Sequence, residues 1–81
     1  MYVVQGGKAM LDEVIFFQTR IFRIFCDKAK LSAHDANMIF DQYGIWKYLE
    51  DAYDVLHING DECALDDVID ILKEKGVNIW I

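Results

Sequence analysis

Apolar residues recur along most of this chain at the spacing of buried helix faces. Over residues 9–30, Leu11, Val14, Ile15, Gln18, Phe22, Phe25, Cys26 and Ala29 fall on one side of a helix. Glu13, Arg20, Arg23, Asp27 and Lys30 fall on another. Phe17, Ile21 and Ile24 widen the apolar stripe beyond what one neighbour would cover, and Phe16 sits on the polar side. A helix this apolar is either central to a bundle or shared with a second subunit.

Leu31 and Ser32 open a second helix. Ser32 is a good N-cap, Asp35 stands three residues on, and Leu31 and Ala36 occupy hydrophobic-staple positions. Its buried stripe is Ala36, Ile39, Phe40 and Tyr43, and Gly44 ends it as a left-handed residue. A third helix is predicted over 45–57. Ile45, Tyr48, Leu49, Ala52, Tyr53 and Leu56 turn inward there, while Lys47, Glu50, Asp51 and Asp54 turn outward. Lys47 and Asp51 make an i, i+4 ion pair.

Residues 59–61 read as a turn. Asn59 or Asp61 then caps a fourth helix that runs to about residue 75 and buries Leu65, Val68, Ile69 and Leu72. Asp61, Glu62, Asp66 and Asp67 crowd its first half and Lys73 and Lys75 its last turn, the order that suits the helix dipole. Gly76 closes it. Residues 77–81 alternate as a short strand would, with residues 2–5 or a second subunit as pairing partner. The expected fold is therefore mainly all-α: one domain over residues 1–81, a small four-helix bundle with a lead at 1–8 and a short strand at one or both ends. Its core is expected from Leu11, Val14, Ile15, Phe22, Phe25, Ala36, Ile39, Phe40, Leu49, Tyr53, Leu56, Leu65, Val68, Ile69 and Leu72.

Composition sharpens this picture. There is no proline, and no glycine between Gly7 and Gly44, which argues against an all-β chain rich in turns. Hydrophobic residues make up 54% of the chain, more than one small core readily hides, so self-association into a homo-oligomer is open. The net charge of −6 is unevenly spread. Residues 1–40 carry five bases and four acids (+1), and residues 41–81 three bases and ten acids (−7). Such an acidic half repels phosphate, so neither nucleic acid nor an anionic membrane is an expected partner. The apolar stretch over 14–25 is too short to span a bilayer and is interrupted by Gln18, Arg20 and Arg23. Cys26 and Cys63 have no metal-ligand spacing and read as buried free thiols of a cytoplasmic protein.

A family likeness rests on residues 31–72. The capped helix with its spaced Ala36 and Phe40 is followed by Tyr43-Gly44-Ile45, Tyr48-Leu49, Tyr53-Asp54, Leu56-His57, Gly60 and Asp66-Asp67. This layout resembles the short bacterial proteins grouped as domain of unknown function 3791. Its most specific element is Tyr53-x-x-Leu56-His57 followed by Gly60 and an acidic helix. The resemblance implies a compact helical protein without an established activity. It also implies an accessory or antitoxin-like role, because members look like partners encoded beside other small genes, including ADP-ribosyltransferase-like ones. The N-terminal lead and residues 78–81 have no counterpart in the family pattern.

Individual residues add a few candidates. His57 at the end of the third helix, with Asp54 at i−3, has the types for ligand binding or acid–base work, but a histidine there more often satisfies open helix carbonyls. The acids from Asp54 to Asp70 have neither calcium-loop spacing nor a paired Glu-x-x-His, so a solvated acidic face is expected and no metal. Cys63 in a helix first turn has acids beside it and reads as structural. His34 is expected to be exposed. The helices meeting at Gly44 do not make a DNA reader, since Glu50, Asp51 and Asp54 face where a basic recognition helix would bind. No phosphate loop, nucleophile elbow or catalytic grouping occurs, so no enzyme and no cofactor is expected. Trp46 and Trp80 are either interface anchors or lids on the core edge.

Two functions stay open. One is a protein-interaction module with an accessory or antitoxin-like role, binding another protein through Phe16, Trp46, Glu50, Asp54, His57 and Trp80. The other is an acidic inhibitor that mimics nucleic acid, as a phage counter-defence protein does, carried by Glu50, Asp51, Asp54, Asp61, Glu62 and Asp66.

Overall fold

In a computed structural model that describes residues 11–79, the chain forms five helices: α1 (Leu11–Ala29), α2 (Ala33–Gln42), α3 (Ile45–Asp51), α4 (Tyr53–Asn59) and α5 (Asp61–Glu74). The all-α expectation is met, and the count of four is corrected to five. The predicted third helix breaks at Ala52 (φ −98°, ψ 8°). No glycine or proline lies there. The bend comes from packing: Leu49 and Leu56 are buried on either side of it, and Tyr53 meets the edge of Phe17 with ring centres 5.3 Å apart.

α1 is the spine and packs against each of the other four helices. Its buried residues are Val14, Phe17, Ile21 and Phe25, the last three fully enclosed. This corrects the predicted face, since Ile15 is 45% exposed and Phe22 only partly buried. The α1 sequence is apolar on nearly every side, so periodicity could not choose among faces. The choice belongs to the rings waiting on other elements: Tyr53 against Phe17, and Phe40 5.1 Å from Phe25. The side chain of Leu11, also expected in the core, lies outside what the structure describes.

The remaining core follows the reading closely. Ala36, Phe40, Leu49, Leu56, Leu65, Val68, Ile69 and Leu72 are buried, joined by Ile45 and Ala64, while Ile39 and Tyr53 pack against that core partly covered. Among the described residues no buried side-chain nitrogen or oxygen lacks a hydrogen-bond partner.

The connections have local causes. Lys30 stands at φ +60°, and the Leu31 N–H reaches back to the Cys26 carbonyl at 3.1 Å, closing α1. Ser32 caps α2, its hydroxyl accepting from the Asp35 N–H at 3.1 Å as expected, and Gly44 is left-handed (φ +69°). α5 is entered differently from expectation. Neither Asn59 nor Asp61 caps it; Gly60 holds that position at φ +98° without a side-chain cap, and the Asp61 carboxylate turns to Arg20. Gly76 does close α5, with Val77 donating to Leu72 at 2.9 Å.

Residues 77–79 form no strand; Val77 and Ile79 pack on the core instead. With the helices covering α1, the described residues leave no exposed sheet edge for them to join. The rest of the strand expectation, at 2–5 and at 80–81, lies outside the described residues. Cys26 is half-buried and Cys63 exposed, which corrects the reading of both as buried; the first turn of α5 turns Cys63 away from the face that buries Ala64 and Leu65. No helix among the described residues is long and apolar enough to cross a membrane.

Candidate interaction surface

The six expected partner-binding residues divide by location. Trp80 lies outside the described residues. Trp46 is a lid on the core. Its ring sits 5.1 Å from Phe22 and 5.0 Å from Phe40, its Nε1–H donates to the Asn37 Oδ1 at 3.0 Å, and its carbonyl accepts from Gln18 Nε2 at 2.8 Å. A tryptophan held at both its polar and apolar ends contributes to stability where it stands.

Phe16 is 64% exposed on the outer side of α1. Its charged helix neighbours one and two turns away are Asp12, Glu13, Arg20 and Arg23, a face of mixed charge. Arg20 is engaged across the fold, with Nε and an amino nitrogen donating to the two Asp61 oxygens at 2.9 and 3.2 Å. Its guanidinium also lies 5.7 Å from the Phe17 ring centre. The Asp61 carboxylate holds the Arg20 pKa above its ordinary value.

Glu50, Asp54 and His57 all lie exposed on α3 and α4. His57 is stacked flat on Tyr53 (ring centres 4.4 Å apart, 4° between planes), and its Nδ1 lies 2.6 Å from the Tyr53 carbonyl oxygen. A carbonyl only accepts, so Nδ1 carries the proton and donates. Tyr53 opens α4, so this bond runs back along the helix and does not satisfy the open carbonyls at its C-terminal end as expected, and Asp54 is not the partner of that nitrogen. Lys47 and Asp51 form the expected pair at 3.0 Å, which raises the Lys47 pKa.

Sequence reasoning passed over Val55 and Ile58, which are 62% and 75% exposed on α4. The signal was present: both fall off the stripe defined by Leu49, Ala52 and Leu56, and they are three residues apart, hence neighbours on one helix face. Met38 on α2 is a further exposed apolar side chain.

Among the described residues no group of three or more His, Cys, Asp or Glu side chains is arranged to hold a metal ion. An open groove of about 360 Å³ runs between Phe22, Arg23, Cys26, Asp27, Leu31 and Ala33. Partial burial pushes the Cys26 thiol above its usual pKa.

Residues 16–75 match the family model described as "Protein of unknown function (DUF3791)", in agreement with the likeness read from residues 31–72 and extending it into α1. No curated protein matches the chain, and no solved structure does.

Proposed function

The chain belongs to this family of unknown function, and from that premise we propose that it is a protein-interaction module with an accessory or antitoxin-like role, acting by binding another protein and not by catalysis. The observation that carries the reading is the set of large apolar side chains left outside a well-filled core. Phe17, Phe25 and Phe40 are fully enclosed, yet Ile15, Phe16, Met38, Val55 and Ile58 are exposed. Single exposed apolar residues are ordinary, but five among the described residues favour a surface that a partner covers. Free thiols at Cys26 and Cys63 suit work in the reducing cytoplasm.

The test is capture on the tagged protein from cell lysate, compared with a variant carrying Phe16→Ser, Val55→Ser and Ile58→Ser. An apolar interface predicts a bound protein that survives a high-salt wash and is lost from the variant. Equal capture by both forms refutes the reading.

A second reading, nucleic-acid mimicry, is favoured by the exposure of Glu50, Asp51, Asp54, Glu62 and Asp66. Asp61 leaves that set because it is partly covered and paired with Arg20. Here the partner is a nucleic-acid-handling protein that dissociates as salt rises, since exposed charges are screened beyond a Debye length of about 10 Å at 0.1 M salt. A partner indifferent to salt rules it out.

A further inference from the structure

We propose that the docking surface is the outward face of α3 and α4, and that its occupant is a cationic amphipathic segment of a partner protein. This rests on the interaction-module reading and gives it a place and a partner chemistry.

Val55 and Ile58 form the centre. They lie side by side on the face opposite the buried Leu49 and Leu56. Asp54 stands one turn before Ile58 on the same helix and is exposed, so a carboxylate borders the apolar pair. α3 and α4 themselves carry Glu50, Asp51 and Asp54 against the one base Lys47, a net −2 with histidine neutral.

Charge complementarity selects the occupant. Apolar side chains beside a carboxylate on a net acidic pair of helices match a helix or strand that presents leucine-like residues among lysines or arginines. A second copy using this face would meet it through a two-fold axis and set acids against acids. Phosphate-bearing ligands are repelled by the same field. Phe16, by contrast, is bordered by Arg20 and Arg23 as well as Asp12 and Glu13, and selects no sign of charge.

The probes are two helical peptides with one leucine pattern, one with lysine and one with glutamate at every polar position, titrated into the ¹⁵N-labelled full chain. The lysine peptide is expected to shift the amides of Asp54, Val55 and Ile58 most. Its affinity should fall roughly tenfold in the Val55→Ser/Ile58→Ser variant, as for loss of a central apolar anchor, and less in Asp54→Asn. The amide spectrum of each variant reports that it is folded. Shifts centred on Phe16 would overturn the surface while leaving the interaction-module reading intact. Equal binding of the glutamate peptide overturns the cationic partner. Sedimentation showing a dimer that Val55→Ser/Ile58→Ser dissolves would make a second copy the occupant and also overturn the proposal. So would no binding of either peptide, and loss of the salt-resistant partner from a Phe16→Ser variant alone would then keep the broader reading standing.

Discussion

Arg20 and Asp61, 41 residues apart in sequence, are joined by two parallel hydrogen bonds of 2.9 and 3.2 Å that tie the middle of α1 to the first residue of α5. α5 has no side-chain cap because Gly60 holds the cap position, and the carboxylate of Asp61, the first helical residue, is turned to Arg20 on α1. Arg20 is 53% exposed and Asp61 31%, so solvent screens the attraction. A double-mutant cycle with Arg20→Met and Asp61→Asn should give a coupling of about 0.5–1 kcal/mol. It should shrink in high salt. A coupling near zero at low salt would show that the pair only orients the helices without stabilising them.

The buried face of α1 makes a sharper test. Phe17→Ala and Phe25→Ala should each cost about 3–5 kcal/mol by urea unfolding, because both rings are fully enclosed. Ile15→Ala should cost under about 1 kcal/mol, as its side chain is 45% exposed. Comparable losses at Ile15 and Phe17 would contradict the observed orientation of α1.

Lys30 is the only described non-glycine residue at positive φ (+60°). Its side chain carries a steric cost there that glycine does not. Lys30→Gly should therefore stabilise the protein by about 0.5–1 kcal/mol, read as a rise in the thermal midpoint. A fall would mean that the Lys30 side chain makes a compensating contact.

Alkaline pH should lower the stability of the fold, with Cys26 and Tyr48 among the groups responsible. Burial raises the Cys26 thiol above its ordinary 9.0. Burial first, then the Asp67 carboxylate, raises the Tyr48 hydroxyl above its ordinary 10.0. Each group holds its proton more tightly when folded than when unfolded. Their contributions are thus complete below pH 9 and fade as pH climbs through 9 for Cys26 and 10 for Tyr48. Denaturation measured across this range should slope downward, and Cys26→Ala/Tyr48→Phe should flatten the slope. A slope that persists in the double variant assigns it to other groups.

The surface proposed for binding was half legible. Glu50, Asp54 and His57 stood out by charge or chemistry, and the structure places them on one pair of helices. Val55 and Ile58 did not stand out, because an apolar residue off the helix stripe looks like noise until the helix around it is seen to leave it uncovered. Trp46 could be read either as anchor or as lid, and the answer depended on Phe22, Phe40 and Asn37, which come from α1 and α2.

The sequence by itself determined what depends on near neighbours. The Ser32 cap, the left-handed Gly44 and Gly76, the Lys47–Asp51 pair and the stripes of α2 and α5 are all settled within a turn or two of chain, where sterics and hydrogen-bond geometry act. Tertiary structure alone decided which face of α1 is buried, where the third predicted helix bends, and that Asp61 serves Arg20 and not its own helix end. In each of these the local options are nearly equal in energy. A contact made across many residues then tips the balance.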